Sequence, residues 1–97
     1  MEKEINIKAD EALDYIKSNV KNYDVLELSY NRVFVPGEVL DISEGQKDGV
    51  DSLKLLIKMN GETIKQTVEI DLEEIKDDIV EIRHIVDEAS TVLVIEE

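Results

Sequence analysis

Leu53, Leu55, Ile57 and Met59 alternate with Lys54, Leu56 and Lys58 and run directly into Asn60-Gly61, the strongest short hairpin signal a sequence offers. Apolar residues at period two commit this stretch to a half-buried strand, and the Asn-Gly pair predicts a two-residue turn. That turn sets Met59 opposite Glu62, Ile57 opposite Ile64 and Leu53 opposite Val68, with Lys54, Lys58, Thr63 and Thr67 on the other face. Leu55 then falls opposite Gln66, the one mismatch in the register.

The same period governs Val25 to Ile42. Leu26, Leu28 and Tyr30 share a face, Val33 and Val35 follow, and Leu40 and Ile42 come after Pro36-Gly37. Tyr30-Asn31-Arg32-Val33 reads equally as a tight turn or a bulge. Pro36 has no N–H to give a ladder, so its stretch belongs at an edge or a bend. Ser43 to Ser52, with two glycines and little aliphatic content, reads as a loop.

Elsewhere the period changes. After a short strand around Ile5 and Ile7, the residues Ala9, Ala12, Leu13, Ile16 and Val20 form one helical stripe. Acids lead that helix and Lys17 and Lys21 follow them, as the helix macrodipole favours. Asp71-Leu72-Glu73-Glu74 has the form of a capping box, and Leu72, Ile75, Ile79, Ile82, Val86 and Ala89 recur at helical spacing, predicting a second helix over about residues 72–88. Thr91 to Ile95 is a β-branched run suited to a strand covered on both faces. The expected fold is therefore α+β: a mostly antiparallel sheet with two amphipathic helices on one face, in the order β-α-β-β-β-β-α-β. An SH3-like barrel over residues 25–68 with a helix at each end is the alternative.

The chain has 97 residues, too few for two cores, so one domain over 1–97 is expected. Hydrophobic residues make up 42%, enough to fold. Twenty-four acids against eleven bases leave a charge of −13, which repels a phosphate backbone and argues against nucleic acid as a partner. No apolar run is long enough to span a membrane, and the first residues do not read as a signal peptide. A cytoplasmic protein is expected. With no cysteine, disulfides, thiolate metal sites and thiol chemistry are excluded. In length, in its Glu/Asp/Ile/Lys-rich composition and in element order, the chain resembles small acidic cysteine-free domains of unassigned function from methanogenic archaea. The resemblance implies an intracellular stand-alone module without established enzymatic activity, and it carries over no functional residue.

His84, the single histidine, falls among Asp77, Glu81 and Glu88 on the polar face of the expected second helix. Glu81 to His84 fits the Glu-x-x-His pattern of di-iron bundles, but one chain with one histidine cannot supply the repeat such a centre needs. A solvated acidic face is the plainer reading. Two acid clusters suit a hard cation, calcium above all: Asp48 and Asp51 in the glycine-bearing loop, and Asp71, Glu73, Glu74, Asp77, Asp78 and Glu81 from the second helix's N-cap onward. Neither has the spacing of an EF-hand. Tyr30, Arg32 and Phe34 combine the residue types of an interface anchor. No phosphate loop or nucleophile elbow occurs, and a pair of carboxylates working as a hydrolase stands last among the function classes. The expectation is a non-catalytic acidic module engaging a basic protein partner, with weak calcium binding as the alternative. The sequence leaves the oligomeric state open.

Overall fold

The computed structural model describes residues 2–60 and 66–96, with Lys47 by its backbone alone. Among these residues seven strands, β1 (Glu2–Lys8), β2 (Val25–Tyr30), β3 (Val33–Lys47), β4 (Val50–Met59), β5 (Thr67–Asp71), β6 (Ile79–Val86) and β7 (Ala89–Glu96), form one sheet in the order β1-β7-β6-β2-β3-β4-β5. β1 runs parallel to β7 and the other neighbours are antiparallel. Also among the described residues are α1 (Ala9–Asn19) and the single turn α2 (Leu72–Ile75), which a 3₁₀ turn at Lys76–Asp78 extends. The α+β expectation is overturned: the protein is mostly β, with a mixed sheet and one helix longer than a turn among the described residues. The SH3-like alternative fails too, since β2 to β5 are part of the same continuous sheet.

α1 follows its periodicity. Ala12, Leu13, Ile16 and Val20 are buried, and the backbone N–H of Lys8 donates to the Glu11 carboxylate at the helix start. This stripe joins Leu26, Leu28, Val35, Val39, Leu53 and Leu93 in one cluster on the inner face of the sheet. Each such aliphatic side chain contributes roughly 1.5–3 kcal/mol by leaving water. In β7, Val92 and Leu93 are adjacent and both buried, although successive side chains point to opposite faces. The β-branched run thus marks a strand flanked by neighbours on both sides.

The predicted second helix is where the reading of the sequence fails. Asp71 does cap α2, its carboxylate accepting the Glu73 N–H at 3.1 Å, but the helix ends within a turn and residues 79–86 are strand. Five of the eight residues in IVEIRHIV are β-branched, which favours the pleated conformation. The helical spacing has a specific origin. Pairing with β2 slips, so that Ser29 faces Glu81 and Tyr30 faces Ile79, leaving Val80 as the extra residue of a bulge. Ile79 and Ile82 both turn inward while Val80 is 61% exposed. A bulge changes a spacing of two into three and so mimics a helix.

The hairpin register also differs from expectation. Ile57 faces Val68 rather than Ile64, Leu55 faces Ile70, and the Met59 N–H donates to the Gln66 carbonyl at 2.7 Å. Glu62, Thr63 and Ile64 lie outside the described residues. The displacement is four residues, an even number, so the described side chains of β4 and β5 keep their expected faces. It removes the mismatch of Leu55 with Gln66 and sets Leu55 opposite the buried Ile70, an apolar match along the ladder.

Asn31 (φ 42°) and Arg32 (φ 64°) make a two-residue turn between Tyr30 and Val33, which settles the turn-or-bulge choice. Ser43 to Ser52 is not a loop. β3 and β4 continue as a two-stranded ribbon to Asp48 (φ 53°) and Gly49 (φ 80°), an Asp-Gly turn of the same kind. Pro36 lies within β3, just beyond the point where pairing with β4 begins at Gly37 and Met59. Its carbonyl accepts the Asn60 N–H at 3.1 Å, and its missing donor points to the same side, past the last β3–β4 pair. Next to it the strands crowd together: a Cβ on Gly37 would press on the Lys58 carbonyl and stand 2.6 Å from Ile57 Cγ2, so only glycine fits.

Candidate functional site

The acids that the sequence divides between a loop and a helix meet in one groove. The tip of the β3–β4 ribbon stands beside α2, tied there by the Leu53 N–H, which donates to Asp71 Oδ1 at 3.1 Å. Between them is a groove of about 320 Å³ lined by Asp48, Val50, Asp51, Ser52, Asp71, Glu73 and Glu74. Among the described residues that line it, none has a basic side chain. Val50, 67% exposed, adds an apolar contact at its rim.

Five of the eight acidic candidates are thus brought together, and three are not. Asp77 and Asp78 line a separate cavity of about 450 Å³ with Ala9, Ile79 and Ile95, and Glu81 lies on β6 opposite Ser29 and Val94. The groove is acidic without being a coordination shell. Asp71 Oδ1 already accepts two backbone N–H groups, Asp51 accepts from the Gln46 amide at 2.8 Å, and Glu73 is 3.4 Å from Lys76 Nζ. Among the described residues no three ligand-type side chains are gathered as a metal ion needs. Lys76 is held above its usual pKa by its hydrogen bond to Asp10 and that carboxylate's charge, and further by Glu73.

Tyr30, Arg32 and Phe34 do not form one surface. Tyr30 packs against the core, Arg32 occupies the turn, and Phe34 is exposed opposite Ser29 on the outer face of the sheet. The turn between them reverses the chain, and strand alternation then sends Tyr30 and Phe34 to opposite faces.

His84 is the largest departure from expectation. It is 6% exposed, on the inner face of β6, rather than on a solvated acidic helix. Tyr15 Oη lies 2.8 Å from its Nδ1 and Asp24 Oδ2 lies 2.8 Å from its Nε2, with the Tyr15 and His84 rings edge to face. A carboxylate only accepts, so Nε2 carries a proton and donates to Asp24, while Nδ1 shares a hydrogen bond with the Tyr15 hydroxyl. Asp24 also accepts the Lys21 N–H at 3.0 Å. Burial pushes the Asp24 carboxyl up, but the His84 hydrogen bond, the Lys21 N–H and the charges of His84 and Lys21 outweigh it and leave the pKa below its ordinary value. This chain of bonds ties α1 to β6 and to the turn that precedes β2. Strand alternation from Ile82 to His84 is the only signal in the sequence that hints at an inward histidine. Tyr15 and Asp24 are joined to it by the sheet order alone.

No helix among the described residues is long and apolar enough to cross a membrane. Residues 3–95 match the DUF2097 family, described as uncharacterized protein conserved in archaea, and the chain belongs to that family. No curated protein and no solved structure matches it.

Proposed function

We propose that this member of the DUF2097 family is a non-catalytic binding module of the cytoplasm whose acidic groove holds a basic segment of a partner protein. The observation that carries this reading is the groove itself, where Asp48, Asp51, Asp71, Glu73 and Glu74 converge with no base among the described lining residues. Its two walls differ in character. The ribbon is exposed from Ser43 through Gln46 and from Asp48 through Asp51, whereas α2 is anchored by the buried Leu72. A lysine- or arginine-bearing segment lying between them would meet carboxylates on both sides and Val50 at the rim. The overall charge of −13 adds long-range attraction that accelerates encounter with such a partner.

The test is a titration of the full chain with a lysine- and arginine-rich peptide, followed by two-dimensional amide NMR at low and at physiological salt. Saturable shifts at residues 48–52 and 71–74, weakening as salt rises and lost when Asp48, Asp51 and Glu74 are changed to their amides, are the expected result. Equal response to a neutral peptide, or shifts that survive the triple amide variant, would refute the reading. Calcium with a magnesium control belongs in the same series, because calcium-selective saturation at these residues would favour ion binding instead.

A further inference from the structure

On the other side of the ribbon, between its base and the end of α1, lies an open cleft of about 630 Å³. Val20 and Ile42 give it apolar surface, Lys17 and Lys21 bring two ammonium groups, and Tyr23 lines it with an aromatic ring. Tyr23 is costly where it stands. Its backbone has φ 78°, a left-handed conformation that crowds a bulky side chain and that glycine or asparagine adopts more readily. Its ring is 71% exposed, so little burial offsets that strain.

The turn that presents this ring is held firmly. The Tyr23 N–H donates to the Val39 carbonyl at 2.6 Å, and the Asp24 N–H to the Lys21 carbonyl at 3.1 Å. The Asp24 carboxylate accepts from the Lys21 N–H and from His84, so the buried Tyr15–His84–Asp24 chain braces the turn from inside. The macrodipole of α1 accounts for Lys17 in the last turn, but nothing in the folding of the chain calls for an exposed, strained tyrosine beside it. Strain kept at a rigid surface position, next to a cleft, is the mark of a residue retained for what it touches.

We propose that this cleft binds a nucleoside monophosphate, with the base stacked on Tyr23 and the phosphate held by Lys17 and Lys21. Asn22 and Glu44, which also line the cleft, provide an amide and a carboxylate for the polar edge of the base. Base stacking on an aromatic ring tolerates any base, and among the lining residues two lysines stand against one glutamate. The acidity that repels a nucleic-acid backbone acts weakly on a single phosphate, because charges more than about 8 Å away are largely screened at physiological salt. The site is separate from the acidic groove and does not rest on the function proposed for it.

Adenosine monophosphate is the probe, titrated into the full chain under amide NMR, with ribose 5-phosphate and adenosine as half-ligands. Saturable shifts confined to residues 17–24 and 42–44 are expected, with each half-ligand bound at least about tenfold more weakly. Lys17→Gln with Lys21→Gln should reduce the monophosphate to the affinity of adenosine. Tyr23→Gly should raise the melting temperature, since it relieves the strain, while weakening the monophosphate by about tenfold or more. No saturable shift up to roughly 10 mM, or shifts spread over the whole surface, would overturn the proposal. So would a Tyr23→Gly variant that keeps its affinity or melts lower than the parent.

Discussion

His84 shows what one buried polar side chain costs to remove. In His84→Leu the ring leaves behind a tyrosine hydroxyl and a carboxylate that had been paired through it. A buried partner stripped of its hydrogen bond costs about 1–3 kcal/mol, and more when it is charged, so a loss of roughly 2–4 kcal/mol is expected in urea unfolding. Tyr15→Phe removes only one end of the chain and leaves Nδ1 unpaired, with a loss of about 1–2 kcal/mol. An equal effect from both variants would mean that the Asp24 bond contributes nothing. Asp24 itself predicts an acid limb. Its folded pKa lies below the ordinary value, so its contribution is full above the unfolded value of about 3.9 and is lost as pH falls through the folded one. Urea melts between roughly pH 2 and pH 6 should therefore show part of the acid destabilisation disappear in Asp24→Asn. An acid limb of unchanged depth in that variant would show that other carboxylates account for it.

At the scale of elements, β6 is the sharpest test, because bulge and helix assign its side chains differently. With Ile79 inward and Val80 outward, Ile79→Ala should cost about 2–4 kcal/mol and Val80→Ala no more than about 0.5 kcal/mol. Comparable losses at the two positions would contradict the bulge. What the sequence makes legible follows from this geometry. α1 is legible because one uninterrupted period of 3.6 places Ala12, Leu13 and Ile16 on a face that is in fact buried. The alternation in β2 and β4 is legible for the same reason, and so is the run from Thr91 to Ile95. β6 is not, because its bulge breaks the period, and the capping residue Asp71 is real but opens a single turn. The ribbon is obscured by its own exposure. Without apolar alternation its polar residues read as a loop, although Asp48-Gly49 is a hairpin turn pair. The acidic candidates are legible by type, yet the meeting of Asp48 with Glu74 depends on the ribbon reaching α2, which no spacing reveals. His84 with Tyr15 and Asp24 is illegible for that reason as well.

For the molecule as a whole, charge is the dominant long-range term. A net charge of −13 on a body with a radius of gyration of 12.9 Å repels itself, which destabilises the compact state. At about 0.01 M salt the screening length is roughly 30 Å, longer than that radius, and at about 0.15 M it is roughly 8 Å, shorter than it. Raising sodium chloride across this range should therefore raise the melting temperature by a few degrees, as scanning calorimetry would record. A flat or falling dependence would mean that ion pairs such as Arg83 with Glu2 and Glu27 outweigh the repulsion.

The pairing of β1 with β7 has a mechanical consequence. The two strands are parallel and in register from Glu2 opposite Ser90 to Lys8 opposite Glu96. A force applied at Glu2 and Glu96 therefore draws the strands past each other along their length, and loads every rung of the ladder at once in shear instead of peeling them open one at a time. Stretched in that direction, the protein should yield at a single high force. Stretched from Glu2 and Ser90, which face each other at one end of the ladder, it should unzip at a much lower one.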